Sequence, residues 1–274
     1  MLLFRSKNPL VYPGDRFPGF DPSHPAANGC FFSGIAVSGQ KNVINLISGS
    51  IGSAIVAVNS TPLDGAIGPT ILPNTAAGTT GGLSYSIASP ATLPFTIAVI
   101  GRAPASVPAS IQIFLTTTGT TNLQALTLMS TTGVLRATVN NAAKLSALVP
   151  AAGRPFFAAC SVTRSVAGSV LFVLAQLDTG QITTDSVNNN STIIAGTGLR
   201  VGNSFSQLNS FTGLIAAAMM SNAALTLNQL ITWAADPWSY WYPPTVENLI
   251  GKSLLTFTAF PVTYQSNQRI IMTG

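Results

Sequence analysis

Charge is scarce in this chain. Of 274 residues only 7% are Asp, Glu, Lys or Arg, against about 25% in an ordinary soluble domain. Hydrophobic residues reach 47% and the mean hydropathy is +0.43, which is not the composition of a disordered chain. A mainly helical protein is disfavoured too, because exposed helix faces normally carry Lys, Glu and Arg. Acids are rarer than bases, 7 against 12, for a net charge of +5. The bases are scattered, with Arg136 and Arg200 among them, and form no run or stripe. A dedicated nucleic-acid module is therefore not expected.

Other shortages narrow the chemistry. There is one histidine, His24, lying between prolines, and one glutamate, Glu247. Nucleophilic triads need a base, and glycoside hydrolysis needs two carboxylates close together. No Gly-x-Ser-x-Gly elbow is present. Gly78-Thr79-Thr80-Gly81-Gly82 lacks the Lys of a phosphate loop and reads as a plain loop. Two cysteines, Cys30 and Cys160, make no disulfide framework, and their spacing is not that of a metal or redox pair. The seven acids are too dispersed for a calcium cluster. The expectation is a protein that is not an enzyme, with no catalytic residues, cofactor or metal. No unbroken apolar run approaches the ~20 residues of a spanning helix, and the N-terminus shows no signal-peptide core. Membrane insertion is not expected.

What remains is a β palette: Ser, Thr, Asn and Gly between short apolar runs. Strands are expected at 31–37, 44–46, 55–58, 83–87, 95–102, 111–116, 125–129, 135–139, 156–163, 169–177, 199–202 and 211–220. The run 169–176 reads as buried on both faces. Turns fall at Asn140-Asn141, at Asp178-Thr179-Gly180 and in a polar loop from Asp185 to Thr192. One helix is signalled at 227–235, with Thr226 and Gln229 spaced as a capping box and a stop at Asp236-Pro237.

Residues 1–28 are different in kind. Pro9, Pro13, Pro18, Pro22 and Pro25 forbid helix or central strand, yet Leu3, Phe4, Tyr12, Phe17 and Phe20 need a surface to cover them. The segment reads as an extended docking arm. Residues 29–244 form the β domain, and 245–274 a strand-like run, Leu254–Phe260, with a tail.

From residue 150 to 242 the order of short motifs resembles the laminin-G-like, concanavalin-type jelly roll. The series is Phe156–Thr163, Ser169–Leu177 with its Asp178-Thr179-Gly180 turn, Leu199-Arg200-Val201-Gly202, Phe211-Thr212-Gly213, Ala224-Leu225-Thr226 before a helix, and Asp236-Pro237-Trp238. The last looks like the version in bacteriophage-encoded proteins, and Gly19-Phe20-Asp21-Pro22-Ser23-His24-Pro25 is similar to phage virion sequence. The resemblance implies an all-β, two-sheet jelly-roll sandwich with one short helix and extended arms. It also implies a non-enzymatic phage virion protein that decorates or stabilises the particle. Its partners would be major capsid or tail proteins and further copies of itself. The alternative is a glycan-binding tail or head-fibre appendage contacting host polysaccharide. Trp238, Tyr240, Trp241 and Tyr242 fit two roles, stacking on a sugar or packing a sandwich end or subunit interface.

Overall fold

The computed structural model describes residues 12–13, 19–55, 59–60, 63–74, 81–89, 94–119, 122–163, 169–204, 206, 209–242, 262–264 and 270–272. In chain order the strands are β1 (Cys30–Ala36), β2 (Val43–Asn45), β3 (Ser53–Ala54), β4 (Asn59–Ser60), β5 (Ile71–Leu72), β6 (Leu83–Tyr85), β7 (Phe95–Arg102), β8 (Gln112–Thr118) and β9 (Asn122–Leu128). They continue with β10 (Leu135–Val139), β11 (Ala142–Leu145), β12 (Pro155–Val162), β13 (Val170–Gln176), β14 (Gln181–Val187), β15 (Gly198–Val201) and β16 (Leu214–Ser221). Helix α1 (Leu227–Ala235) follows, then β17 (Val262–Tyr264) and β18 (Ile270–Met272).

Residues 8–243 form one unit and residues 1–7 with 244–274 a second. In the second unit β17 and β18 pair as an antiparallel hairpin. The first unit is the expected β-sandwich. Its first sheet runs β14-β13-β12-β7-β16-β1-β2, with β5 joined to β16 and β4 to β5; its second runs β11-β10-β9-β8-β15-β6-β3.

Alternation decides which faces are covered, since successive side chains point to opposite sides of a sheet. In β7, Phe95, Ile97 and Val99 enter the core between the sheets. Ala98 and Ile100 enter a second core on the outer side. In β12, Phe156, Ala158 and Cys160 point inward and Phe157 and Ala159 outward. β13 divides in the same way, Phe172 and Leu174 against Val173 and Ala175. Both sets are apolar, so the first sheet is buried on both faces, which is why its strands read as continuous hydrophobic runs. In the second sheet the inward set is apolar and the outward set mostly polar, with Ile113 an exception. Leu126 and Leu128, Leu135 and Ala137, and Leu199 and Val201 are core, while Thr127, Arg136 and Arg200 lie between them.

Helix α1 covers the outer face of the first sheet. Thr226 Oγ1 accepts the Gln229 amide and the Gln229 side chain accepts the Thr226 amide, completing the capping box. Leu230, Trp233 and Ala234 form its buried side. The chain then turns at Asp236-Pro237, where Trp233 Nε1 donates to the Pro237 carbonyl.

Several elements differ from expectation. Asp185 lies within strand β14, not in a loop. β14 is an edge strand, and its Gln, Thr and Ser residues give no apolar alternation to read. β11 is another edge strand without a hydrophobic signal. In the 55–58 run, residues 56–58 lie outside the described residues. The run 211–220 begins pairing with β7 at Leu214; Gly213, just before it, lies against the Arg102 carbonyl, where a Cβ would not fit. Leu254–Phe260 also lies outside the described residues.

Candidate functional site

The outward face of the second sheet holds a cavity of about 170 Å3 lined by Ile111, Ile113, Thr127, Arg136, Thr138, Asn141 and Asn209. Strand register assembles it. Ile113 stands opposite Thr127 across β8 and β9, and Thr127 stands opposite Arg136 across β9 and β10. Thr138 is two residues along β10 on the same face. The register of β8 slips between Ile113 and Leu115, and such a bulge bends a strand locally.

The rim comes from two loops. Asn140 and Asn141 both have positive φ, 47° and 63°, as a two-residue turn of the primed type requires. They join β10 to β11, so the turn fixes Asn141 beside the cavity. Asn209 is held from below: its carbonyl accepts the Ile113 amide and its amide donates to Asn203 Oδ1. Asn203 is buried and also donates to the Gly81 carbonyl. Neither the Asn141 nor the Asn209 side-chain amide has a partner among the described residues.

Arg136 is the charged member. Among the described residues its Nε is buried with no hydrogen-bond partner, and Nη1 approaches only the Met129 sulfur, at 3.7 Å. Burial pulls the guanidinium below its ordinary pKa. The ion pairs among the described residues are Arg102–Asp64 and Arg154–Asp178; Arg136 is in neither. At about 30 Å3 per water, the cavity has room for one small polar unit. A complete drug-sized ligand, which needs roughly 300 Å3 or more, would not fit.

The sequence-derived residues lie elsewhere. Leu3, Phe4 and Phe17 are outside the described residues. Tyr12 packs edge-on against Trp238 and Tyr242, with ring centroids 5.5 and 5.4 Å away, and Phe20 lies 6.4 Å from Tyr240. The backbone follows the same track: the Gly19 amide donates to the Trp241 carbonyl and the Asp21 amide to the Tyr240 carbonyl. Trp238, Tyr240, Trp241 and Tyr242 are all buried, at 0–3% exposure, within the core over the first sheet's outer face. They present no ring to solvent for a sugar to stack on. His24 completes this cluster, 4.7 Å from Trp233 and 5.3 Å from Tyr240.

None of the cavity residues was singled out from sequence as a site. A usable signal existed: Arg136 interrupts Leu135-Arg136-Ala137-Thr138-Val139 at the polar position of an alternating strand, in a chain with few acids to pair it.

No protein-family model matches the chain, and no curated protein matches it. Solved structures do. One is a sialidase of Trypanosoma rangeli in complex with sialic acid: 12% identity, TM-score 0.51, covering 76% of this chain and 33% of that one. The same sialidase with 2,3-difluoro-KDN gives 13% identity, TM-score 0.52, and 83% and 36% coverage. The binding domain of Paraclostridial Mosquitocidal Protein 1 gives 14% identity, TM-score 0.52, and 76% and 52% coverage. The chain thus spans about a third of the sialidase and half of the toxin domain. At these identities the likeness shows the β-sandwich fold alone. It corrects the expectation that the chain is not an enzyme, because a sandwich of this kind occurs within sialidases, which are enzymes.

Proposed function

We propose that this chain is a carbohydrate-recognition sandwich and that the cavity on the second sheet's outer face receives a sugar. The carrying observation is the cavity's lining. Apolar Ile111 and Ile113 sit beside the free amides of Asn141 and Asn209, the Thr138 hydroxyl and the Arg136 guanidinium. A sugar offers the same mixture, an apolar C–H face edged by hydroxyls, and small-ligand sites are built this way. Support comes from the company of the fold, which includes a domain described as a binding domain and a protein solved with sialic acid.

The laminin-G-like motif order and the proline-rich segment lead us to place the module in a phage-type virion, as a tail or head appendage touching host polysaccharide. Copies of itself and capsid or tail proteins would be its neighbours. Decoration or stabilisation of the particle through the arm is the second reading. Tyr12 and residues 19–28 lie on their own domain, so attachment by the arm would fall to its other residues.

The test is a glycan microarray probed with the full chain, with hydrolysis products assayed alongside. Thr138→Val and Asn209→Ala should each weaken retained hits about 3- to 10-fold, the effect of one hydrogen bond. No bound glycan, or binding indifferent to both substitutions, overturns the proposal.

A further inference from the structure

Arg136 is out of place by the usual rules. A buried guanidinium nitrogen is normally paired, since desolvating it without a partner is costly. Here Nε is buried and unpartnered. The described acids are engaged elsewhere: Asp64 with Arg102, Asp178 with Arg154, Asp185 with the Ala147 and Ser186 amides, and Asp21 with Ser23. Asp236 lies at the C-terminal end of α1, on the other sheet's side. No acid among the described residues lines the cavity. The strand meanwhile holds Arg136 firmly, with Thr127 Oγ1 donating to its carbonyl. The backbone is thus fixed, and the cation is partly stripped of water and uncompensated within the described residues.

We propose that the ligand of this cavity is a carboxylate-bearing sugar unit of an acidic glycan, its carboxylate taken by the Arg136 guanidinium. This rests on the carbohydrate reading and adds its charge class. The planar guanidinium fork matches a carboxylate with two parallel hydrogen bonds. Asn141, Asn209 and Thr138 are then placed for the hydroxyls of the same unit. Arg200 gives this face a second positive charge. It lies on β15 opposite Thr116 of β8 and Ser84 of β6, three strand spacings from β10, or roughly 14 Å. A longer acidic chain crossing the sheet would meet both charges. The net charge of +5 favours approach of such a polymer.

The experiment is titration calorimetry of the full chain against oligogalacturonate, oligosialate and neutral maltoheptaose. At least one carboxylated oligomer should bind, more weakly at 0.5 M salt than at 0.05 M. Arg136→Gln should reduce that affinity about 10- to 100-fold, the effect of a charged hydrogen-bonding pair, and Arg136→Lys should retain part of it. Thermal unfolding of Arg136→Gln at or above the wild-type midpoint shows that the loss is not misfolding. Carboxylated ligands that bind equally well to Arg136→Gln overturn the inference. So do neutral glycans bound on the microarray through Asn209 and Thr138 with no preference for acid, although carbohydrate recognition would then stand. No glycan of either kind overturns both.

Discussion

Arg102 grips Asp64 with two parallel hydrogen bonds, Nε to Oδ2 at 2.7 Å and Nη2 to Oδ1 at 2.9 Å. The third side of the fork donates to the Gly153 carbonyl, so one side chain at the end of β7 ties two loops together. Burial works against the charged Asp64. The hydrogen bonds from Arg102 and the Ala66 amide outweigh it and hold the carboxyl below its ordinary value. Asp64→Asn and Arg102→Met should each cost about 1–2 kcal/mol, discounted because the arginine is a third exposed. A double-mutant cycle in urea should return a coupling of similar size. An unfolded Asp protonates near 3.8 and the folded one lower, so the contribution is present above that pH and fades as pH falls through the folded value. Additive single mutants would mean the pair is idle.

His24 makes a second pH-dependent contribution, of opposite chemistry. Its ring lies between Trp233 and Tyr240, and its Nδ1 accepts the Ala26 amide. Burial lowers its pKa to about 4 against the partial counter-pull of Asp21. Unfolded, it takes a proton near 6.5; folded, it resists until about 4. Across that interval the unfolded state binds more protons, so stability should fall as pH drops from about 6.5 to about 4, by a few kcal/mol at most. Urea midpoints measured along this range should slope downward in the wild type and flatten in His24→Gln. Equal slopes would remove the histidine from the account.

Arg136 should be a residue that costs stability. Replacing it by Met keeps the length of the side chain and removes the unpaired buried nitrogen. Arg136→Met should therefore unfold at the same temperature as the wild type or a few degrees higher. A drop of several degrees would show that the guanidinium has a structural partner.

Both thiols should be slow to react. Cys160 is fully buried and its pKa is raised to about 12 by burial. For Cys30, burial raises it to about 11, although Tyr240 Oη donates to the sulfur at 3.0 Å. Little thiolate exists at pH 8. A chromogenic disulfide should label neither in the folded protein and both in denaturant. Fast labelling of Cys30 would mean that the segment carrying Phe20 and His24 lifts off readily.

Much of the sandwich was legible, because one-dimensional patterns carried it. β7 and β10 are bounded as the alternation Phe95–Arg102 and Leu135–Val139 foretells. The capping box at Thr226 and Gln229 set the helix start, and Asn140-Asn141 marked a hairpin. Polar edge strands such as β14 and β11 were not legible, since an exposed edge needs no hydrophobic period. The cavity was not legible either. It depends on which residues of β8, β9 and β10 face one another, on a bulge, and on Asn209 arriving from far along the chain. The aromatic run 238–242 stands out in the sequence, but composition does not say which way its rings point.

The Tyr12 and Tyr242 hydroxyls lie 3.3 Å apart at a sequence separation of 230, and Tyr240 closes on Cys30 over a separation of 210. During synthesis the first of these partners leaves the ribosome long before the second exists. At about 5–20 residues per second the wait is roughly 10–50 s. For that time the N-terminal segment and β1 have no aromatic cover, and each strand of the first sheet emerges before helix α1 can close its outer side. The nascent chain therefore passes through a period in which a chaperone, or a neighbouring nascent chain, can compete for a surface that the finished molecule hides.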